Sequence, residues 1–290
     1  MEPLIINAAI TGMVPMRTDS PHVPISPREI IDDAKRCRDA GATIMHLHAR
    51  EPDGTPTYKR EIYAEIFAGV RAECPQILIS GSCSGRLFGE FWQRSEVLDE
   101  QPDFGSLTLG SLNFATQASV NSPEMIKNLA LAMKQRGITP ELEIFDLGMA
   151  DYAHFLLDKG IIARQLYANI LLGSLGTAGA TADNLCAIIR ALPSGTVWAA
   201  TGIGRFQYFI NSLAVAMGGH VRVGLEDALY YDWDKKERAT NAGLIDRVVR
   251  LARAAGREIA SAEQARQIIG RPGCNAVDER PRILPFKRAA

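Results

Sequence analysis

The chain contains no run of 18 apolar residues, so no segment is long enough to cross a bilayer as a helix. It contains no CxxC pair, and its five cysteines stand scattered at positions 37, 74, 83, 186 and 274. An odd, unpatterned set excludes a disulfide framework and suits reduced thiols, so a cytoplasmic protein is expected. An excess of either charge is missing as well. Lys and Arg number 32 against 33 Asp and Glu, and no basic run is interleaved with aromatics. The electrostatic footprint of a nucleic-acid-binding protein is therefore absent. The opening MEPLIINAAITG lacks the positive start and long apolar stretch of a signal peptide. No Gly-x-Gly-x-x-Gly follows the first apolar run, which counts against a doubly wound dinucleotide fold, the second-ranked architecture.

What the chain does have is a rhythm. Leu4 to Thr11 is a β-rich run, and Ser26-Pro27-Arg28-Glu29 then forms a capping box with Pro at the first helical position. Ile30, Ile31, Ala34 and Cys37 follow at helical spacing, up to Gly41. Seven more strands are expected at 43–48, 76–80, near 104–109, and at 141–145, 165–172, 196–200 and 220–223. Helices are expected between them, among them 88–98, 150–159, 182–191 and 207–217, and two more near 242–255 and 262–269. Eight strand–helix units in about 250 residues predict a (β/α)8 TIM barrel. No linker or low-complexity stretch interrupts the pattern, so residues 1–290 read as a single domain, with 256–290 as a C-terminal helical extension.

Two of only five histidines occur one residue apart in IMHLHAREPDG. On a strand, residues i and i+2 face the same side, so His46 and His48 project together from the C-terminal end of the second strand. Active sites of such barrels gather at that end. Two imidazoles so placed can ligate a divalent metal, or serve as hydrogen-bonded core histidines. GGHVRVGLEDALY offers a third ligand in Glu226, followed by Asp227 and preceded by Arg222. The plainer reading of both acids is as first-turn carboxylates at the positive end of a helix. PELEIFD puts Glu141 and Glu143 on one strand face, and a barrel interior that receives Glu143 near its top needs a cation or donor to neutralise it. ISGSCSG supplies Ser80, Ser82 and Ser84 among glycines, a loop that could cradle an anion or form an ordinary tight turn. Cys83 has no histidine near it in sequence and reads as a spectator thiol.

The stretches ITGMVP, SPREIIDDA, DAGATIMHLHAREPDG, PELEIFD and GGHVRVGLED resemble the β-keto acid cleavage enzymes, the family of the 3-keto-5-aminohexanoate cleavage enzyme. The resemblance runs from about Leu4 to Tyr231 and implies a zinc-dependent barrel that reacts a 3-oxo acid with acetyl-CoA. The products are acetoacetate and a new acyl-CoA. By position it implies His46, His48 and Glu226 as zinc ligands. It implies Arg222 and Asp227 as the dyad that deprotonates the substrate. Glu143 joins them, with Ser82 and Ser106 at polar substrate positions and Thr108 an alternative to Ser106. A homotetramer is also implied. The aminated-substrate member carries a carboxylate where this chain has Val14, so the substrate's variable end is not expected to be cationic. Met13, Val14 and Met16 suggest an apolar or mixed pocket, while Arg17 leaves an anionic end open. The competing reading is another metal-dependent barrel lyase or aldolase, and behind it a non-catalytic binding barrel.

Overall fold

A computed structural model describes residues 1–114 and 117–270 of the chain. The inner strands are β1 (Ile6–Ala9), β2 (Ile44–Leu47), β3 (Leu78–Gly81), β4 (Phe104–Thr108), β5 (Thr139–Ile144), β6 (Tyr167–Leu172), β7 (Val197–Gly202) and β8 (His220–Val223). All neighbouring pairs are parallel, and β1 closes the ring by pairing with both β2 and β8. The helices are α1 (Pro27–Ala40), α2 (Arg60–Glu73), α3 (Phe91–Ser95), α4 (Pro123–Arg136), α5 (Leu147–Asp158), α6 (Ala182–Ala191), α7 (Gln207–Ala216), α8 (Asn241–Ala254) and α9 (Ala262–Ile269). This is the expected (β/α)8 barrel. Among the described residues no helix is long and apolar enough to cross a membrane.

Local chemistry accounts for the helix ends. Ser26 accepts from the Glu29 N–H, and the Glu29 carboxylate accepts from the Ser26 N–H at 2.9 Å, so two orphan donors at the start of α1 are satisfied reciprocally. Gly41 ends that helix at φ 118°, a left-handed conformation that a side chain would oppose. Ser122 starts α4 in the same manner by accepting from the Met125 N–H.

Two elements are shorter than the sequence pattern predicts. The run from Leu4 to Thr11 yields only Ile6–Ala9 as strand, because Leu4 bridges to Ile259 and the Thr11 hydroxyl donates to the Pro24 carbonyl. The apolar pattern over 88–98 splits into α3 and a 3-10 turn at Glu96–Glu100. Its start is set by a capping box between Glu90 and Gln93.

The barrel interior is layered. Ile5, Ile44, Leu78, Phe104, Tyr167 and Ala199 form an apolar floor, and Ala265 and Ile269 of α9 pack against it from below. Burying Ile269 there is worth about 1.5–3 kcal/mol. The part of the C-terminal extension expected over 256–270 thus closes the N-terminal end of the barrel, while 271–290 lie outside the described residues. Above the floor the interior turns polar: Asn7, His46, Ser80, Glu141, Asn169 and Arg222 are all buried. TIM-barrel interiors are dominated by branched aliphatic side chains, so a polar middle layer calls for a chemical reason.

Candidate active site

Strand alternation carries the site. His46 and His48 leave the same face of β2, and their Nε2 atoms lie 3.2 Å apart. Glu226 reaches them from the loop after β8, with Oε1 3.1 Å from the His48 Nε2. Donor atoms of all three residues lie within 4.8 Å of one another, the arrangement of a candidate metal centre. Gly12, in the loop after β1, makes room for this approach. Its φ is +69°, and a Cβ there would meet the Glu226 Cγ at 2.5 Å. Arg50, two residues past His48, donates to the Gly12 carbonyl and to the Gly54 carbonyl. The arginine of the HLHAR motif is therefore a clamp on two loops at the barrel mouth.

The three residues fit a divalent cation. Glu226 Oε2 is buried and accepts no hydrogen bond among the described residues. The two facing Nε2 atoms can share at most one proton, which leaves donor lone pairs without partners. Burial pushes the His48 pKa down despite Glu226, which favours the neutral imidazole. Burial would raise the Glu226 carboxyl, but His48 and Arg222 hold it well below the usual carboxylate range. A neutral imidazole and an ionised carboxylate are the protonation states a metal requires.

Behind the histidines stands Glu141. Its Oε2 accepts from His46 Nδ1 at 2.9 Å and from the Ser80 hydroxyl. Its Oε1 accepts from the side-chain amides of Asn7, at 2.5 Å, and Asn169. Burial opposes its charge, yet His46, Arg222 and the Ser80 hydroxyl bring its pKa down to about 2. The same carboxylate outweighs burial at His46 and raises that pKa. Glu141 thereby fixes the His46 tautomer, with Nδ1–H donating outward and Nε2 turned toward His48 and Glu226. Sequence reasoning placed Glu141 on the same face as Glu143 and gave it no role. The signal was the alternation itself, one layer deeper. Glu141→Gln is expected to weaken divalent-cation affinity about 10- to 100-fold while the protein stays folded, as outer partners of ligating histidines do. Competition with a chelating dye reads this, and an unchanged affinity would leave Glu141 a purely structural acid.

Arg222 organises the other acids. Its guanidinium lies 3.0 Å from Asp227, 3.1 Å from Glu226 and 3.5 Å from Glu143. Burial, helped by Glu226, raises the Asp227 carboxyl against the pull of Arg222. Burial raises Glu143 likewise, against Arg222 and the Thr108 hydroxyl that donates to it at 2.5 Å. A carboxylate whose pKa is lifted by burial and still guided by a guanidinium suits a general base.

The remaining candidates separate. Ser82 and Ser106 are buried, but Ser82 Oγ accepts from the Ser84 N–H and Ser106 Oγ from the Cys83 N–H. The Ser84 hydroxyl accepts in turn from the Arg86 N–H. These N–H groups of the serine loop are taken by Ser82 and Ser84 within the loop and by Ser106 on β4, which braces the loop as a turn. Phe104, Ser106 and Thr108 share one face of β4, and Thr108 stands highest, beside Glu143. Cys83 is buried and its thiol is pushed up to about 12, as expected of a spectator. Val14, in the loop after β1, is 54% exposed.

The family model for β-keto acid cleavage enzymes matches residues 3–270. A 3-keto-5-aminohexanoate cleavage enzyme from Fusobacterium nucleatum subsp. nucleatum is 38% identical over 93% of this chain and 98% of its own length. A 3-oxoadipate:acetyl-CoA acetyltransferase from Cupriavidus necator is 35% identical over 93% of this chain and 96% of its own. Among solved structures, the apo form of ObcA superposes with a TM-score of 0.72 at 19% identity, covering 87% of this chain and 66% of that one, which is a likeness of fold. With the polar barrel centre described above, these matches place the chain in the β-keto acid cleavage enzyme family.

Proposed function

We propose that the protein is a zinc-dependent acyltransferase that exchanges acyl groups between a 3-oxo acid and acetyl-CoA, releasing acetoacetate and a new acyl-CoA. The observation that carries this reading is the His46–His48–Glu226 cluster, with both histidines buried, set directly against the Arg222–Asp227 pair. A zinc ion held by those three residues would supply Lewis-acid stabilisation of the negative charge that develops on the substrate's ketone and carboxylate oxygens.

The chain's own residues account for the proton and for orientation. Asp227 takes the proton from C2 of the 3-oxo acid, and Arg222 holds that carboxylate in place through its 3.0 Å contact. The C2 carbanion attacks the acetyl thioester carbonyl, forming a C–C bond and releasing CoA thiolate. That thiolate attacks the original ketone carbon of the adduct. The bond between C2 and that carbon then breaks, giving the new acyl-CoA and a carbanion that recovers its proton from Asp227 as acetoacetate. Atoms balance without a covalent enzyme intermediate. Thr108 and Glu143, together at the top of the interior, border the same space and can position the polar end of the substrate.

The test is an acetoacetate assay with acetyl-CoA across 3-oxo acids with neutral, anionic and cationic far ends. Acetoacetate is expected from 3-oxo acids without an ammonium group, and 5-amino-3-oxohexanoate is expected to be the poorer substrate, because nothing at Val14 can pair its charge. A panel that yields no acetoacetate would overturn the proposal.

A further inference from the structure

We infer that Arg86 selects the far end of the substrate and takes a carboxylate there, so that the preferred substrate is a 3-oxo dicarboxylic acid. The inference rests on the acyl exchange proposed above and adds the chemical class of the acid. It begins with an imbalance. Glu141, Glu143, Glu226 and Asp227 crowd the barrel centre, and three nearby arginines are spent, while Arg205, in the loop after β7, is exposed with its guanidinium over the Trp233 ring. Arg222 serves three carboxylates, Arg50 donates to the Gly12 and Gly54 carbonyls, and Arg94 donates to the Cys83 and Val120 carbonyls and to Asn121.

Arg86 differs. It stands in the loop after β3, where its N–H donates to Ser84 Oγ and its carbonyl accepts from the Gln117 side chain. Its guanidinium lies 3.5 Å over the ring of Phe114, and Phe114 meets Phe145, just past β5, edge to face. The stack braces the cation. Among the described residues, the guanidinium makes neither a hydrogen bond nor an ion pair. Its loop and the Phe145 end of β5 stand at the C-terminal end of the barrel, the end that carries Glu143, Glu226 and Asp227, and burial lowers its pKa against the pull of those acids. A partly buried guanidinium with an open fork has the geometry to take a planar carboxylate bidentately.

The alternative cation for such a group was Arg17. The structure removes it: Arg17 is ion-paired with Glu29 at 2.5 Å and sits on the exposed side of the loop. The near carboxylate and ketone of a 3-oxo acid belong to the metal centre under the proposed function, which leaves Arg86 for the opposite end. Acetyl-CoA carries phosphates that could also meet an arginine, and the experiment must separate the two sources.

The measurement is kcat/KM for 3-oxohexanedioate and 3-oxohexanoate, which share a carbon skeleton and differ in the terminal carboxylate. It is made at saturating acetyl-CoA for the parent, Arg86→Gln and Arg86→Lys. KM is also taken for acetyl-CoA and for its dephospho analogue. The parent is expected to favour the dicarboxylate by about 10- to 100-fold, the range of a charge-assisted hydrogen-bonded pair. Arg86→Gln is expected to bring that ratio close to unity, and Arg86→Lys to keep an intermediate preference, because a point charge remains without the fork. A parent with no preference, or a ratio unchanged in Arg86→Gln, would overturn the inference while acetoacetate release upheld the acyl exchange. A loss confined to KM for acetyl-CoA and absent with the dephospho analogue would assign Arg86 to the phosphate and also overturn it. If neither acid yields acetoacetate, the underlying reading falls and the inference with it.

Discussion

Asp227→Asn is expected to lower kcat by about 10²- to 10⁴-fold, the usual cost of removing a general base, with zinc content near that of the parent. The substitution keeps the shape of the side chain and its reach toward Arg222, whose Nε lies 3.0 Å from Asp227 Oδ2. It removes the basic oxygen alone. The residue lies next to Glu226 but is not one of the three residues of the candidate metal cluster, so under the proposed function metal content and proton transfer can be read separately. Steady-state turnover together with metal analysis of the same preparation makes the test. An Asp227→Asn enzyme with parental kcat would shift the proton to Glu143, the other acid whose pKa burial raises beside Arg222.

The second large effect belongs to the histidines. His48→Ala and His46→Ala are each expected to reduce zinc from about one per chain to background and to abolish acetoacetate formation, because a catalytic site needs all three protein ligands. The two variants should nevertheless differ in stability. His48 contacts Glu226, which keeps Arg222 as a partner when the imidazole is gone. His46 donates its Nδ1–H to fully buried Glu141, and removing that donor leaves a buried carboxylate short of a partner, at a cost of about 1–3 kcal/mol or more. Denaturant unfolding followed by circular dichroism should therefore show His46→Ala as the less stable of the two. Full metal occupancy in either variant would contradict the ligand assignment.

The barrel was legible in the sequence because its signals are local. Ser26 with Glu29, and Gly41 and Gly137 at helix ends, mark boundaries through groups within one turn of each other. The expected helices over 182–191 and 262–269 and the strand over 220–223 coincide with α6, α9 and β8. The pairing of His46 with His48 was legible for the same reason, since strand alternation fixes which residues share a face.

What escaped was depth and register. Alternation puts Glu141 and Glu143 on one face but does not say which layer each enters. Only the closed barrel brings Glu141 to His46, 95 positions away, and to Asn7, 134 positions away. Arg86 escaped because loops have no period, and its support comes from a ring on a different loop. The exposure of Val14 was not legible either, since the backbone of that loop leaves it half exposed, which sequence spacing cannot show. The serine loop left two readings open, an anion cradle or a tight turn, because serines at alternate positions can each turn back on a nearby backbone N–H, as Ser82 and Ser84 do.

The central claim is that acetoacetate is built from two carbons of the 3-oxo acid and the acetyl group of acetyl-CoA. Acetyl-CoA labelled with ¹³C at its acetyl carbonyl, incubated with the enzyme and an unlabelled 3-oxo acid, tests this directly by ¹³C NMR. The account predicts acetoacetate labelled at C3 alone and a new acyl-CoA that carries no label. Label retained in a thioester, or released as acetate with no acetoacetate formed, would contradict it.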